Sequence, residues 1–168
     1  MLKLADLNSA ARRGAGAAAA LLLIQGFAGG TAAAKGAPGA RAIEGIWDST
    51  VTSKDCATGA VLGPPFKALI VFRRGGSFDV DNTQGRTTRG NIYGLWKQEA
   101  GAAFSANAVH LRYDPDGAYA GLNKIQRSVT LAADADSFTA SLKVQIFDLD
   151  GNVVGEVCPV ESAVRMNL

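Results

Sequence analysis

Histidine is almost missing from this chain: His110 is the single one among 168 residues. A hydrolytic triad needs a histidine beside a nucleophile and a carboxylate, so any such site would have to be built on His110. No G-x-S-x-G accompanies it. His110 sits in a segment of alternating polarity, where a histidine is more often structural or surface-facing than catalytic. No catalytic residue is assigned. Cysteine is nearly as scarce. Cys56 and Cys158 with one histidine fall short of the four ligands of a closed zinc site. Asp148-Leu149-Asp150-Gly151-Asn152 opens like a calcium loop. The sixth and twelfth positions, where Gly and Glu are needed, are Val153 and Pro159. The run reads as a turn, as does Asp114-Pro115-Asp116-Gly117. Gly75-Gly76 and Gly90 precede no helix and make no phosphate cradle. No metal and no cofactor are called for.

A run long enough to span a membrane is also lacking. Lys3, Arg12 and Arg13 lead into an apolar stretch from Ala15 to Phe27, followed by Thr31-Ala32-Ala33-Ala34. Thirteen residues are short of the ~20 of a spanning helix, and small residues follow. This is the pattern of an export signal with its cleavage site. The expected domains are a signal over residues 1–34, a flexible leader, KGAPGARA, over 35–42, and a folded domain over 43–168. The mature chain is expected in the periplasm or medium, with no stable membrane insertion after cleavage. The signal, residues 1–34, carries three of the 17 basic and one of the 15 acidic residues, so fourteen of each remain. A neutral chain without a basic run has no electrostatic footprint for nucleic acid.

Amphipathic helices are absent as well; the chain offers short β-patterned segments cut by turn chemistry. They run over residues 43–52, 66–72, 77–81, 91–98, 103–113, 118–131, 137–147 and 153–166. The clearest is residues 137–147. It puts Phe138, Ala140, Leu142, Val144 and Ile146 on one face and Thr139, Ser141, Lys143 and Gln145 on the other. Short connections mean antiparallel neighbours. Eight such strands leave two raw edges unless the sheet closes. Export favours a Cys56–Cys158 disulfide, which needs Cα atoms within about 7 Å. Cys56 follows the first strand and Cys158 lies in the last, so the bond favours closure. The expected fold is all-β, an eight-stranded antiparallel up-and-down barrel with one disulfide. The alternative is a β-sandwich.

If Cys56 faces Cys158 directly, Ser49 faces Arg165. Val160, Val164 and Met166, which read as the core set of the last strand, then have the wrong parity. A bulge at Pro159 would switch it, turning Arg165 outward and bringing Val164 to Val51. Both arrangements stay open at the sequence level.

Gly45-x-Trp47 on the first strand, the eight-strand meander and Arg165 on the last resemble the calycin group: lipocalins and, more distantly, avidins. The resemblance implies that Trp47 plugs one barrel end with Arg165 packed across it, although no Thr-Asp-Tyr-type motif is present. A closer likeness is to short exported bacterial proteins without an assigned function. It rests on the G-x-W start, Asp55-Cys56-Ala57-Thr58-Gly59-Ala60, Arg74-Gly75-Gly76, the Phe147–Val153 turn and the cysteine before the final strand segment. It implies export, barrel and disulfide, and no reaction.

An eight-stranded barrel is either filled by side chains or holds one small ligand. Candidate lining residues are Trp96, Phe104, His110, Tyr119, Asn123, Arg127, Phe138 and Leu142. An inward Arg127 must sit at the mouth, meet an internal acid, or hold a ligand carboxylate or phosphate. The expected function is non-enzymatic binding of a small apolar or amphipathic ligand, with Arg127 or His110 supplying polarity. The alternatives are a barrel isomerase or cyclase, and a filled barrel whose surface binds a partner protein. Oligomeric state is not legible.

Overall fold

A computed structural model describes residues 39–85 and 87–167. The signal segment expected over residues 1–34 lies outside them. A 3-10 turn, Ala40–Ile43, covers the end of the expected leader. Nine strand segments follow: β1 Gly45–Thr52, β2 Phe66–Phe72, β3 Ser77–Asn82, β4 Ile92–Ala100, β5 Ala103–Tyr113, β6 Tyr119–Leu131, β7 Ser137–Phe147, β8 Val153–Val157 and β9 Val160–Arg165. Each of the first seven pairs antiparallel with the next. β9 pairs with both β7 and β1 and closes the sheet. β8 pairs with β7 only. The molecule is a closed eight-stranded up-and-down barrel with one additional segment, not a sandwich.

β8 and β9 are one strand with a break. Val144 faces Val157 and Ser141 faces Val160, so the register on β7 is the same on both sides of the break. Pro159 has no N–H to give. The Cys158 N–H leaves the ladder for the Lys54 carbonyl at 2.8 Å, and the Pro159 carbonyl accepts from Leu142 N–H at 2.9 Å. The expected bulge at Pro159 is therefore not there. The register is instead offset at the other cysteine, by two residues, which leaves parity unchanged. β1 ends at Thr52, and Cys56 sits in a turn off the ladder, whose Asp55 Oδ1 accepts from the Ala57 and Thr58 N–H groups. Trp47, not Ser49, faces Arg165. The inward set of the last strand is Glu161, Ala163 and Arg165, while Val160, Val164 and Met166 are exposed, contrary to the sequence expectation.

The Cys56–Cys158 disulfide is formed, with Cα atoms 4.9 Å apart. It ties residues 102 apart in sequence. Chain-entropy reasoning gives such a loop roughly 4–5 kcal/mol, as an upper figure. Its presence fits a non-reducing environment.

Alternation sorts the barrel interior. Trp47 and Val51 of β1, Ala68, Ile70 and Phe72 of β2, Phe78 and Val80 of β3, and Phe104, Ala106 and Ala108 of β5 are all buried. Ile125, Val129 and Leu131 of β6 join Phe138, Ala140 and Leu142 of β7 in the same core.

Candidate functional site

The two ends of this interior differ in what fills them. One end is a packed aromatic cluster. Trp47 meets Phe138 edge-on at 4.9 Å between ring centroids, Phe138 meets Phe72 at 6.2 Å, and Phe72 stacks on Phe78 at 5.4 Å. Trp96 touches Phe72 and Phe104 at 6.1 and 6.0 Å. The Trp96 Nε1–H is committed to the Ser77 carbonyl at 3.0 Å and the Arg73 carbonyl at 3.1 Å. Arg165 closes this end, its Cζ lying 4.2 Å from the Trp47 ring centroid. Its guanidinium donates to the carbonyls of Ala42, Glu44 and Ala135. Trp47 Nε1–H donates to Ile43 at 2.9 Å. Gly45 permits the packing: its φ is +130°, and a Cβ there would stand 2.8 Å from Arg165 Nη1. Trp47, Arg165 and Gly45 thus pack together at this end of the barrel.

The cluster ends at Phe78. Its ring occupies the space that a side chain on the paired Gly94 would need; a Cβ there would come within 2.2 Å of the ring. Arg127 Cζ lies 5.5 Å from the Phe78 ring centroid. Arg127 also lines a cavity of about 250 Å³ on its other side. The cavity walls are largely apolar: Val51, Phe66, Ala68, Val80, Ile92, Ile125, Leu142, Val144 and Val157. Its polar groups are Arg127, His110, Asn123, Arg112 and the connection between β3 and β4, including Arg89.

Of the eight candidate lining residues, the barrel brings His110, Asn123, Arg127 and Leu142 together at this cavity. Trp96, Phe104 and Phe138 belong to the aromatic end. Tyr119 is 47 % exposed. The β5–β6 ladder slips between Arg112 and Tyr113, which takes Tyr119 off the inward parity of β6.

Arg127 is the most buried cation among the described residues, 5 % exposed. Its acid is Glu161 of β9, also buried, with Nε and Oε2 3.1 Å apart. The Ser49 hydroxyl of β1 donates to Glu161 Oε1. The ion pair is close but poorly aligned: Arg127 Nε and Nη1 and Glu161 Oε2 make no hydrogen bond. Burial presses the guanidinium pKa below its ordinary value while Glu161 pulls it back up. Arginine nevertheless stays cationic in proteins.

His110 is fixed by its neighbours. The Leu111 carbonyl, 3.1 Å from Nδ1, can only accept, so Nδ1 carries the proton. Nε2 then accepts from Asn123 Nδ2 at 3.1 Å, and Asn123 Oδ1 is left buried without a partner. Burial, and then the charges of Arg89 and Arg112, hold the imidazole pKa below its usual value. The ring is a neutral wall group with both nitrogens engaged.

Sequence reasoning missed Arg112, Arg89, Ser49 and Glu161. Arg112 shares parity with His110 on β5, and that signal was readable. Glu161 shares parity with Arg165 on the last strand, but the apolar valines beside it pointed to the other face. Among the described residues no three His, Cys, Asp or Glu side chains cluster as a metal site would require. In comparison with known proteins, no family model and no curated sequence matches the chain.

Proposed function

We propose that this is an exported, non-enzymatic binding module whose barrel takes a small apolar or amphipathic molecule. The observation that carries the reading is the cavity: apolar side chains on several strands, a polar side that includes Arg127, His110 and Asn123, and a packed aromatic end to the barrel. This is the composition of small-molecule sites in general. At about 250 Å³ it lies just below the ~300–1,000 Å³ of pockets for drug-sized ligands, so the occupant is small. An isomerase or cyclase reading has less support, because both His110 nitrogens are engaged within the protein and its neighbour Asn123 does not titrate. Export is supported by the disulfide and by the leader pattern of residues 1–34.

The test is native mass spectrometry of the protein purified from its own periplasm or medium, with titration of the stripped protein by the neutral dye N-phenyl-1-naphthylamine. The expected outcome is a chain starting near Lys35, with both cysteines oxidised, that carries a small molecule and takes up the dye once stripped. Failure to bind the dye or any small molecule would sink the pocket reading. Two free thiols in the exported chain would show that the Cys56–Cys158 bond does not form there.

A further inference from the structure

The outer face of the barrel is also sorted by alternation. Tyr93 and Leu95 of β4 and Val109 and Leu111 of β5 point outward and are 57, 70, 49 and 47 % exposed. A shallow groove of about 410 Å³ runs beside Tyr93, Leu95 and Val109. Large apolar side chains exposed in one contiguous group mark a contact surface. The sheet register fixes what stands on either side of them. Asp79 of β3 faces Tyr93, Tyr93 faces Val109, and Val109 faces Lys124 of β6. One row across four strands therefore reads acid, apolar, apolar, base. The next row reads Ser77, Leu95, Asn107, Gln126. The Lys124 ammonium lies 4.5 Å from the Phe147 ring centroid. Asp79 accepts from Arg73 Nε of its own chain at 2.8 Å, in an exposed ion pair of small worth.

We propose that this face joins two copies of the chain in a reversible dimer. The interface lies on the outside of the barrel and stands apart from the cavity. The row is its own complement. With a two-fold axis along the strands, between β4 and β5, each position meets the one an equal distance across the axis. Tyr93 then meets the second copy's Val109, and Asp79 meets the second copy's Lys124, both twice over by symmetry. In the neighbouring row, Ser77 meets the second copy's Gln126 and Leu95 its Asn107. An axis across the strands would instead set Asp79 against Asp79 and Lys124 against Lys124. Charge therefore chooses between the two packings. Barrel walls are convex, so the apolar centre closes while the charged flanks stay solvated. The centre supplies affinity and the flanks supply orientation. Strands stand ~4.8 Å apart and outward residues ~6.8 Å apart, so four strands by three rows cover roughly 400 Å² per copy. The total of ~800 Å² falls short of the ~1,000 Å² of a stable interface, which makes the dimer weak and concentration-dependent.

The test is sedimentation equilibrium of the exported protein from about 10 µM to 1 mM, at low and high salt. A monomer–dimer equilibrium is expected, weakening as salt rises. Leu95→Lys places a charge in the apolar centre and should weaken the dimer at least about tenfold. Val109→Lys, on the other central strand, should do the same, so either variant decides if the other misfolds. Ser162→Lys, on the outer face of β9 across the barrel, should change nothing. Lys124→Glu alone and Asp79→Lys alone should each dimerise more weakly than the native chain, because like charges then meet at both flanks. Mixed one to one, the two variants should associate more tightly than either does alone, since every flank then joins opposite signs. A chain that stays monomeric over the whole range overturns the proposal. So does a dimer that Leu95→Lys and Val109→Lys leave intact. A mixture no tighter than its components overturns the two-fold packing along the strands.

Discussion

Arg165 and Arg127, at the two ends of this barrel, have opposite fates. Arg165 is spread over three carbonyls and the Trp47 ring, with the exposed Asp136 carboxylate 3.5 Å away. Arg127 is more deeply buried, yet it has one misaligned acid and a free Nη1. A guanidinium has five N–H donors, so burial is tolerable only where acceptors surround it. The plug meets that condition with backbone carbonyls, which impose no charge of their own. The cavity end does not meet it. Arg165 is saturated by the chain itself; Arg127 depends on the buried Glu161 carboxylate. The same contrast runs through the apolar residues, which interlock as rings at the plug and line open space at the other end.

The contrast breaks most visibly if the plug is emptied. Trp47→Ala removes a fully buried indole whose ring meets Phe138 and Arg165. It should cost about 3–5 kcal/mol by urea denaturation. Glu161→Ala should cost nearly as much, about 3–5 kcal/mol, because it strands the Arg127 charge. Replacing both members, Arg127→Leu with Glu161→Leu, should instead come out neutral or more stable. If that double variant were as unstable as Glu161→Ala, the buried pair would be a stabilising element like the plug, and the distinction between the two arginines would fail.

Strand order, barrel closure and disulfide were legible in the sequence because each rests on a local signal: alternation, turn residues, and two cysteines at the two ends of the sheet. The plug was legible through Gly45-x-Trp47. What failed was register at Cys56 and the facing of side chains at Tyr119 and along β9. Cys56 lies in an Asp55-capped turn, so counting back from it misplaced Arg165 by two residues. Tyr119 lies beyond a slip in the β5–β6 register. On β9 the valines face out and Glu161 faces in, the reverse of what hydrophobicity alone predicts. The candidate site suffered from the same cause, since Glu161 and Ser49 enter it only once β1 and β9 are in register. Arg127 was found because its own strand is regular and long.

Gly45→Ala sharpens the plug side at smaller scale. The substitution puts a Cβ at φ +130° and 2.8 Å from Arg165 Nη1. The expected cost is about 1–3 kcal/mol. If steric displacement of Arg165 is the cause, Arg165→Ala should reduce the penalty of Gly45→Ala in a double-mutant cycle. A full penalty in the Arg165→Ala background would place the cost in the backbone alone.

The smallest effect belongs to the cavity side and depends on pH. His110 is held neutral in the fold, with its pKa below the usual 6.5, first by burial and then by Arg89 and Arg112. The unfolded chain, free of those neighbours, takes up a proton near 6.5. Between the lowered folded value and 6.5 the unfolded state therefore binds more protons, and stability rises with pH. The contribution is complete above that window, drains away as pH falls through it, and stops falling once the folded protein itself protonates. His110→Gln removes the group, so the wild-type and variant stability curves should separate as pH falls below the ordinary imidazole value of about 6.5. Carboxylates common to both proteins cancel in that difference.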